Sequence, residues 1–209
     1  MDRVKIKEKA RKLIKDKLWE VWKPMLLVSL ISFVIGLIFG AIDPNGENAF
    51  VGTLATVSTI FLYPLTIGVY KYYLNFVRGK ELNIKEIFNP YKKLGGIILI
   101  YLLMYIIIGL WTLLFIIPGI IVSFSYVMVV YLMAEDDIDG MNTLRKSANM
   151  MNGYKMDYFV FSLSFILWIL SVIFTFGLTI IYVGPYITIS QTLYYEELKK
   201  ISKKKKINK

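Results

Sequence analysis

The acids Glu135, Asp136, Asp137 and Asp139 stand just before Gly140 and form the densest run of metal-ligating side chains in the sequence. Counted from Glu135 as the first position of a calcium-binding loop, Gly140 takes the required sixth place. The twelfth place is then Lys146, where a bidentate Glu is needed, and the first carries Glu in place of the usual Asp. A calcium hand is excluded, and the run reads as an interface boundary in which Asp139 caps a helix. The sequence has no His and no Cys, which removes the commonest general base, proton shuttle and soft metal ligands together. Ser and Thr are present but have no evident base to activate them, and no P-loop occurs. The expectation is a protein that is not an enzyme, with no catalytic residue, no cofactor and no metal.

A different chemistry attaches to three prolines. Inside a helix, Pro64, Pro118 and Pro185 would each leave the carbonyl four residues earlier, at Ile60, Leu114 and Ile181, without its amide partner. In lipid such a carbonyl needs a hydroxyl, a water or a ligand. Ser123, Ser125, Tyr126, Tyr182, Thr188, Ser190 and Gln191 are the polar groups nearby, and with the prolines they form a candidate central cavity of kinked helices. The alternative is that kinks and hydroxyls serve only helix packing.

The elements that would position these residues follow from charge. The chain is 56% hydrophobic, with a mean hydropathy of +0.57, well beyond a soluble domain. All 25 Lys and Arg residues fall in residues 1–24, 71–93, 145–155 and 199–209. Those are every second gap between long uncharged runs, the positive-inside pattern. From Leu94 to Ala134 no residue is charged; one helix of that length would extend about 60 Å, twice the ~30 Å hydrocarbon thickness, so the run folds back. The outside turn is placed between Gly109 and Leu114, with Pro118–Gly119 as the alternative. Residues 158–195 repeat the situation, with a turn at Thr175–Gly177. The expected fold is all-α: a polytopic membrane protein with both termini cytoplasmic. Six crossings, at about 25–42, 50–70, 94–111, 114–134, 158–175 and 178–195, form three hairpins whose second helices are Pro-kinked, a weak threefold repeat.

Around this 25–198 domain lie cytoplasmic pieces. Residues 3–22 carry Ile6, Ala10, Leu13, Ile14, Leu18, Val21 and Trp22 at helical spacing opposite Lys and Arg. They are expected to form one interfacial helix in residues 1–24, an anchor or an anionic-lipid sensor. No cleavable signal peptide is expected there. A second short helix is expected over 139–152, with Gly153 at its end, and a third interfacial turn over 82–88. Residues 199–209 read as a solvated polybasic tail. The formal charge of +10 invites nucleic acid, but it is divided among pieces flanking membrane spans. The expected partners are the lipid bilayer, anionic inner-leaflet lipids and a membrane protein, with no nucleic acid. In span one, Gly36 and Gly40 form a small-residue pair expected to pack inside the bundle.

Ile116-Ile117-Pro118-Gly119-Ile120-Ile121, Tyr126, Ala134-Glu135-Asp136, Lys146-Ser147, Met151-Asn152-Gly153-Tyr154-Lys155 and Leu163-Ser164-Phe165-Ile166-Leu167-Trp168 follow one another in order. Pro185-Tyr186 and Tyr194-Tyr195-Glu196 close the series. Together they resemble the bacterial integral-membrane family catalogued as domain of unknown function 975, with Leu167 in place of a glycine. The resemblance implies a six-helix membrane protein and no particular activity. The functional expectation is a non-catalytic membrane-organising or accessory protein of the bacterial plasma membrane. The alternative is an uncoupled permease or lipid-handling transporter working through the cavity between kinked helices.

Overall fold

The computed structural model describes residues 1–207, and over these the chain is helical with no strand. Helix α1 (Arg3–Lys15) starts where the Asp2 carboxylate accepts from the Lys5 amide at 3.1 Å and stops at Asp16. The single amphipathic helix expected over 3–22 is therefore two. Residues from Leu18 onward belong to α2 (Leu18–Ile42), which runs straight through Pro24. The apolar stripe of α1 does not face lipid: Ile6, Ala10 and Ile14 are buried, and α1 packs on α11 (Ile180–Ile207).

The first hairpin returns through α3 (Ala49–Ile60), a turn at Phe61–Leu62 and α4 (Tyr63–Val77). A 3-10 segment (Ile84–Lys93), capped by Asn83, lies along α4 and buries Ile87 and Pro90. Contact is tight at Gly68, where an added Cβ would stand 2.0 Å from the Ile87 carbonyl oxygen. Helix α5 (Leu94–Leu114) ends at Phe115, a single extended residue (φ −154°, ψ 132°) that starts α6 (Ile116–Tyr126), continued by α7 (Val129–Ala134). The turn thus lies between the two positions expected for it. Gly119 allows the chain to double back, because a Cβ there would meet Thr112 Oγ1 at 2.2 Å.

Helix α8 (Gly140–Met151) begins after Asp139 and is followed by Asn152 and the left-handed Gly153 (φ +81°). It buries Thr143, Leu144, Ser147, Met150 and Met151, so its inner face is partly polar, while Met141 is exposed. The last hairpin is α9 (Lys155–Leu163), α10 (Ile166–Phe174) and α11, turning through Phe176 and Gly177, both at positive φ.

Five helical stretches are long and apolar enough to cross a membrane: Leu18–Ile42, Ala49–Val77, Ile84–Leu114, Ile116–Ala134 and Lys155–Phe174. The expected sixth crossing, 178–195, is not among them. It falls in α11, where Tyr, Thr, Ser and Gln replace the aliphatic residues of the other runs. These side chains are inside the protein: Tyr186, Tyr194 and Tyr195 are fully buried, and Tyr195 stacks on Tyr131 at 4.7 Å, which meets Tyr70 at 4.9 Å. The expected solvated tail is, up to Ile207, the continuation of α11; Asn208 and Lys209 lie outside the described residues. Exposed large apolar side chains concentrate on α2, α3, α5, α6, α9 and α10. Gly36 and Gly40 are on that surface with nothing within 4 Å of an added Cβ, not packed inside the bundle.

Candidate functional site

The three prolines do different things. Pro64 is the second residue of α4 and Pro118 the third of α6. In a helix's first turn the missing amide would have had no helical partner, so neither position loses a ladder bond. The turn before Pro64 is held by the Tyr91 hydroxyl, which donates to the Phe61 carbonyl at 2.7 Å. Pro185 alone of the three stands well inside a helix, and the Ile181 carbonyl that it frees accepts from the indole N–H of Trp22 at 2.8 Å.

The hydroxyls expected around a cavity turn to their own helices. Ser123 donates to Ile120 at 2.7 Å, Ser125 to Ile121 at 3.3 Å and Ser190 to Tyr186 at 2.6 Å. Such back-bonding is a packing device of apolar helices. Tyr126, Thr188 and Gln191 are half-buried; the Thr188 carbonyl accepts from Thr192 at 2.9 Å. Ser123, Ser125 and Tyr126 lie on α6, while Thr188, Ser190 and Gln191 lie on α11. The contact linking Ser125 to another element is its carbonyl, which accepts from the buried Ser147 hydroxyl of α8 at 2.8 Å.

The four acids of the run, read as a boundary, each turn to different partners. Glu135, at the end of α7, accepts from the Arg78 guanidinium, from the Lys199 ammonium and from the Tyr195 hydroxyl, the last at 2.8 Å. Arg78, at the end of α4, also donates to Glu196 from Nε at 2.9 Å and from Nη2 at 2.5 Å. Asp136 pairs with Lys71 at 3.2 Å and Lys93 at 3.6 Å, Asp137 with Lys146 at 2.8 Å, and Asp139 accepts from the Asn142 side chain at 3.0 Å. Among the described residues no group of three metal-ligating side chains gathers. Burial pushes the Glu135 carboxyl up, but the bonds from Lys199, Arg78 and Tyr195 outweigh it and hold the group below the usual carboxylate value. Burial likewise opposes the Arg78 charge, and its two carboxylates more than restore it.

Two carboxylates and two cations therefore join the C-terminal ends of α4 and α7 to the middle of α11. Beside them lies a cleft of about 360 Å³, lined by Lys71, Asn75, Arg78, Lys80, Glu135, Asp136 and Lys199 among others. A family model described as "Protein of unknown function (DUF975)" matches residues 1–122 and 113–202. The chain belongs to this family. No curated protein and no solved structure matches it. In this DUF975 chain the charged knot draws on positions that the sequence reading treated separately: Glu135 in the acidic run, Glu196 after Tyr194-Tyr195, and Lys199 in the polybasic tail. Arg78 was not singled out. Its signal was its rarity, as one of four Arg in a chain with 21 Lys, since a guanidinium can hold two carboxylates at once.

Proposed function

We propose that this protein is a non-catalytic integral protein of the bacterial plasma membrane that organises the membrane or serves a partner complex, with its working face in the cytoplasm. The observation that carries the reading is the charged knot. Its ionisable side chains are bound to one another across three helices, the arrangement of a structural clamp, with none held apart and unpaired as a general acid or base would be. Orientation follows from the basic segments: α1, the 71–93 connection, the 145–155 connection and the end of α11 all belong on the inner face. An even number of crossings puts both termini there. The hairpins α2–α4 and α5–α7 cross outright; the count of six would need α9–α11 to cross as well.

The permease alternative requires several kinked helices around one space. With Pro64 and Pro118 in first turns, Pro185 is left as the one interior kink of the three, and its carbonyl is already occupied by Trp22.

Native mass spectrometry of the protein released in lipid nanodiscs tests this reading. The expected result is anionic phospholipid in excess over its membrane abundance, together with a stoichiometric membrane-protein partner. Enrichment of a single small amphiphile, with flux of that compound in proteoliposomes, would replace the accessory reading by the permease.

A further inference from the structure

The depth of the third hairpin is set by α1. Arg3 Nε lies 3.6 Å from Asp157 at the start of α9; Lys7 donates to Ser164 and stands 4.5 Å from the Phe165 ring; the Arg11 guanidinium carbon is 5.2 Å from the Tyr186 ring and 5.7 Å from that of Trp168. On the α11 side, the α1 N-terminus shares a groove with Leu193 and Glu197, and its C-terminus shares one with Tyr182. Helix α1 therefore runs antiparallel along α11 over most of the stretch expected to be the sixth crossing.

The outer face of α1 carries exposed Lys5, Glu8, Lys9, Lys12 and Lys15. A helix with that face belongs in water or among headgroups and not in hydrocarbon. The residues beside it, from Asp157 to Trp168 and from Tyr182 to Glu197, are then held at the membrane boundary. Met156, Phe159, Val160, Leu163, Ile166 and Leu167 are apolar and exposed along the same stretch, which suits a helix slanted along that boundary with this face toward the acyl chains. What projects past α1 is the end of α10, the turn, and the first residues of α11. From Trp168 to Phe176 that is about 12 Å of helix, against ~30 Å of hydrocarbon.

We infer that the α9–α11 hairpin is re-entrant: it enters from the cytoplasmic face, turns inside the inner leaflet, and has the acyl chains of that leaflet as its partner. The chemistry of the tip agrees. Phe174, Phe176 and Leu178 are 80%, 99% and 74% exposed, and Phe176 sits at φ +50° with no protein contact to justify an aromatic there. The turn closes its own polar groups, as a turn in hydrocarbon must. Gly177 N–H donates to Val172 at 2.7 Å, Thr175 donates to the Ser171 carbonyl at 2.7 Å, and Thr179 N–H donates to Thr175 Oγ1 at 3.2 Å. The loop between α2 and α3 contrasts with it, carrying Asp43 and Glu47 as an aqueous loop does. A wedge in one leaflet is a direct means of organising lipid.

The inference rests on the crossing of α2–α4 and α5–α7, and one set of single-cysteine variants separates the two claims, since the chain has no Cys of its own. Glu47→Cys should react with a membrane-impermeant maleimide added outside intact cells; silence there overturns the crossing reading itself. Nitroxide labels on Ile169→Cys and Phe176→Cys, in protein reconstituted into phospholipid vesicles, give depth from oxygen against nickel-chelate relaxation. The expected result is a label at 176 deeper in hydrocarbon than at 169. A label at 176 that is shallower than at 169, with nickel access from the outer side, means a full crossing and overturns the inference.

Discussion

The indole N–H of Trp22 meets the carbonyl of Ile181 at 2.8 Å, and Ile181 is the residue that Pro185 deprives of its helical amide. A donor from α2 thus repairs a defect in α11 and ties the first long apolar helix to the tip of the third hairpin. Trp22→Phe keeps an aromatic side chain and removes the donor, and the loss of this one hydrogen bond to an exposed residue should cost about 1 kcal/mol. Pro185→Ala returns the missing amide. In that background the cost of Trp22→Phe should fall by at least half, read as detergent-solubilised melting temperatures in a double-mutant cycle. Equal losses in both backgrounds would mean that the indole acts only through packing.

The Arg78 clamp should behave as a unit. Its side chain is 25% exposed and that of Glu135 17%, between the surface pairs worth less than ~1 kcal/mol and the buried ones that cost ~3–5 kcal/mol to break. Arg78→Ala should therefore destabilise by about 2 kcal/mol, since it leaves Glu135 and Glu196 facing each other. Arg78→Lys should recover only part of this, because an ammonium cannot hold two carboxylates through a planar fork. Thermal unfolding of the three proteins decides it; full recovery by Lys would reduce the clamp to simple charge balance.

Fold class was written in one-dimensional features. Uncharged runs and the grouping of Lys and Arg mark the apolar stretches, and Gly153 and the Thr175–Gly177 turn fall where local chemistry put them. What was not readable depends on partners far along the chain. Glu135 finds Arg78 and Lys199 from outside its own segment, so spacing within the acidic run held no sign of the clamp. The stripe on α1 suited lipid and protein equally well, and only the docked α11 decides between them. That Tyr186, Tyr194 and Tyr195 belong to the core was not readable either, because an aromatic core and an aromatic lipid belt have the same composition.

Acid should loosen the clamp. Glu135 titrates below its ordinary value of 4.5 in the folded protein. Between that value and the lower folded one, the unfolded chain binds more protons, so stability rises with pH. The contribution is complete above pH 4.5 and is lost as pH falls through the folded pKa. Glu135→Gln should be less stable at neutral pH and should show a shallower decline in melting temperature below pH 4.5. An acid limb unchanged in the variant would assign the effect to other carboxylates.

Gly68 is required by approach and not by conformation, because it stands inside α4 with the backbone of Ile87 against it. A Cβ 2.0 Å from the Ile87 carbonyl oxygen cannot be relieved by rotating a side chain; the whole 3-10 segment must shift. Gly68→Ala should therefore cost about 1–3 kcal/mol as overpacking, despite the better helix propensity of Ala. Gly52→Ala in α3 is the control, with nothing within 4 Å of its added methyl; it should be neutral or gain up to ~1 kcal/mol. Measured side by side, the melting temperature should fall in Gly68→Ala and hold or rise in Gly52→Ala. Equal shifts would show that the 3-10 segment yields at no cost and does not fix the end of α4 beside the Arg78 clamp.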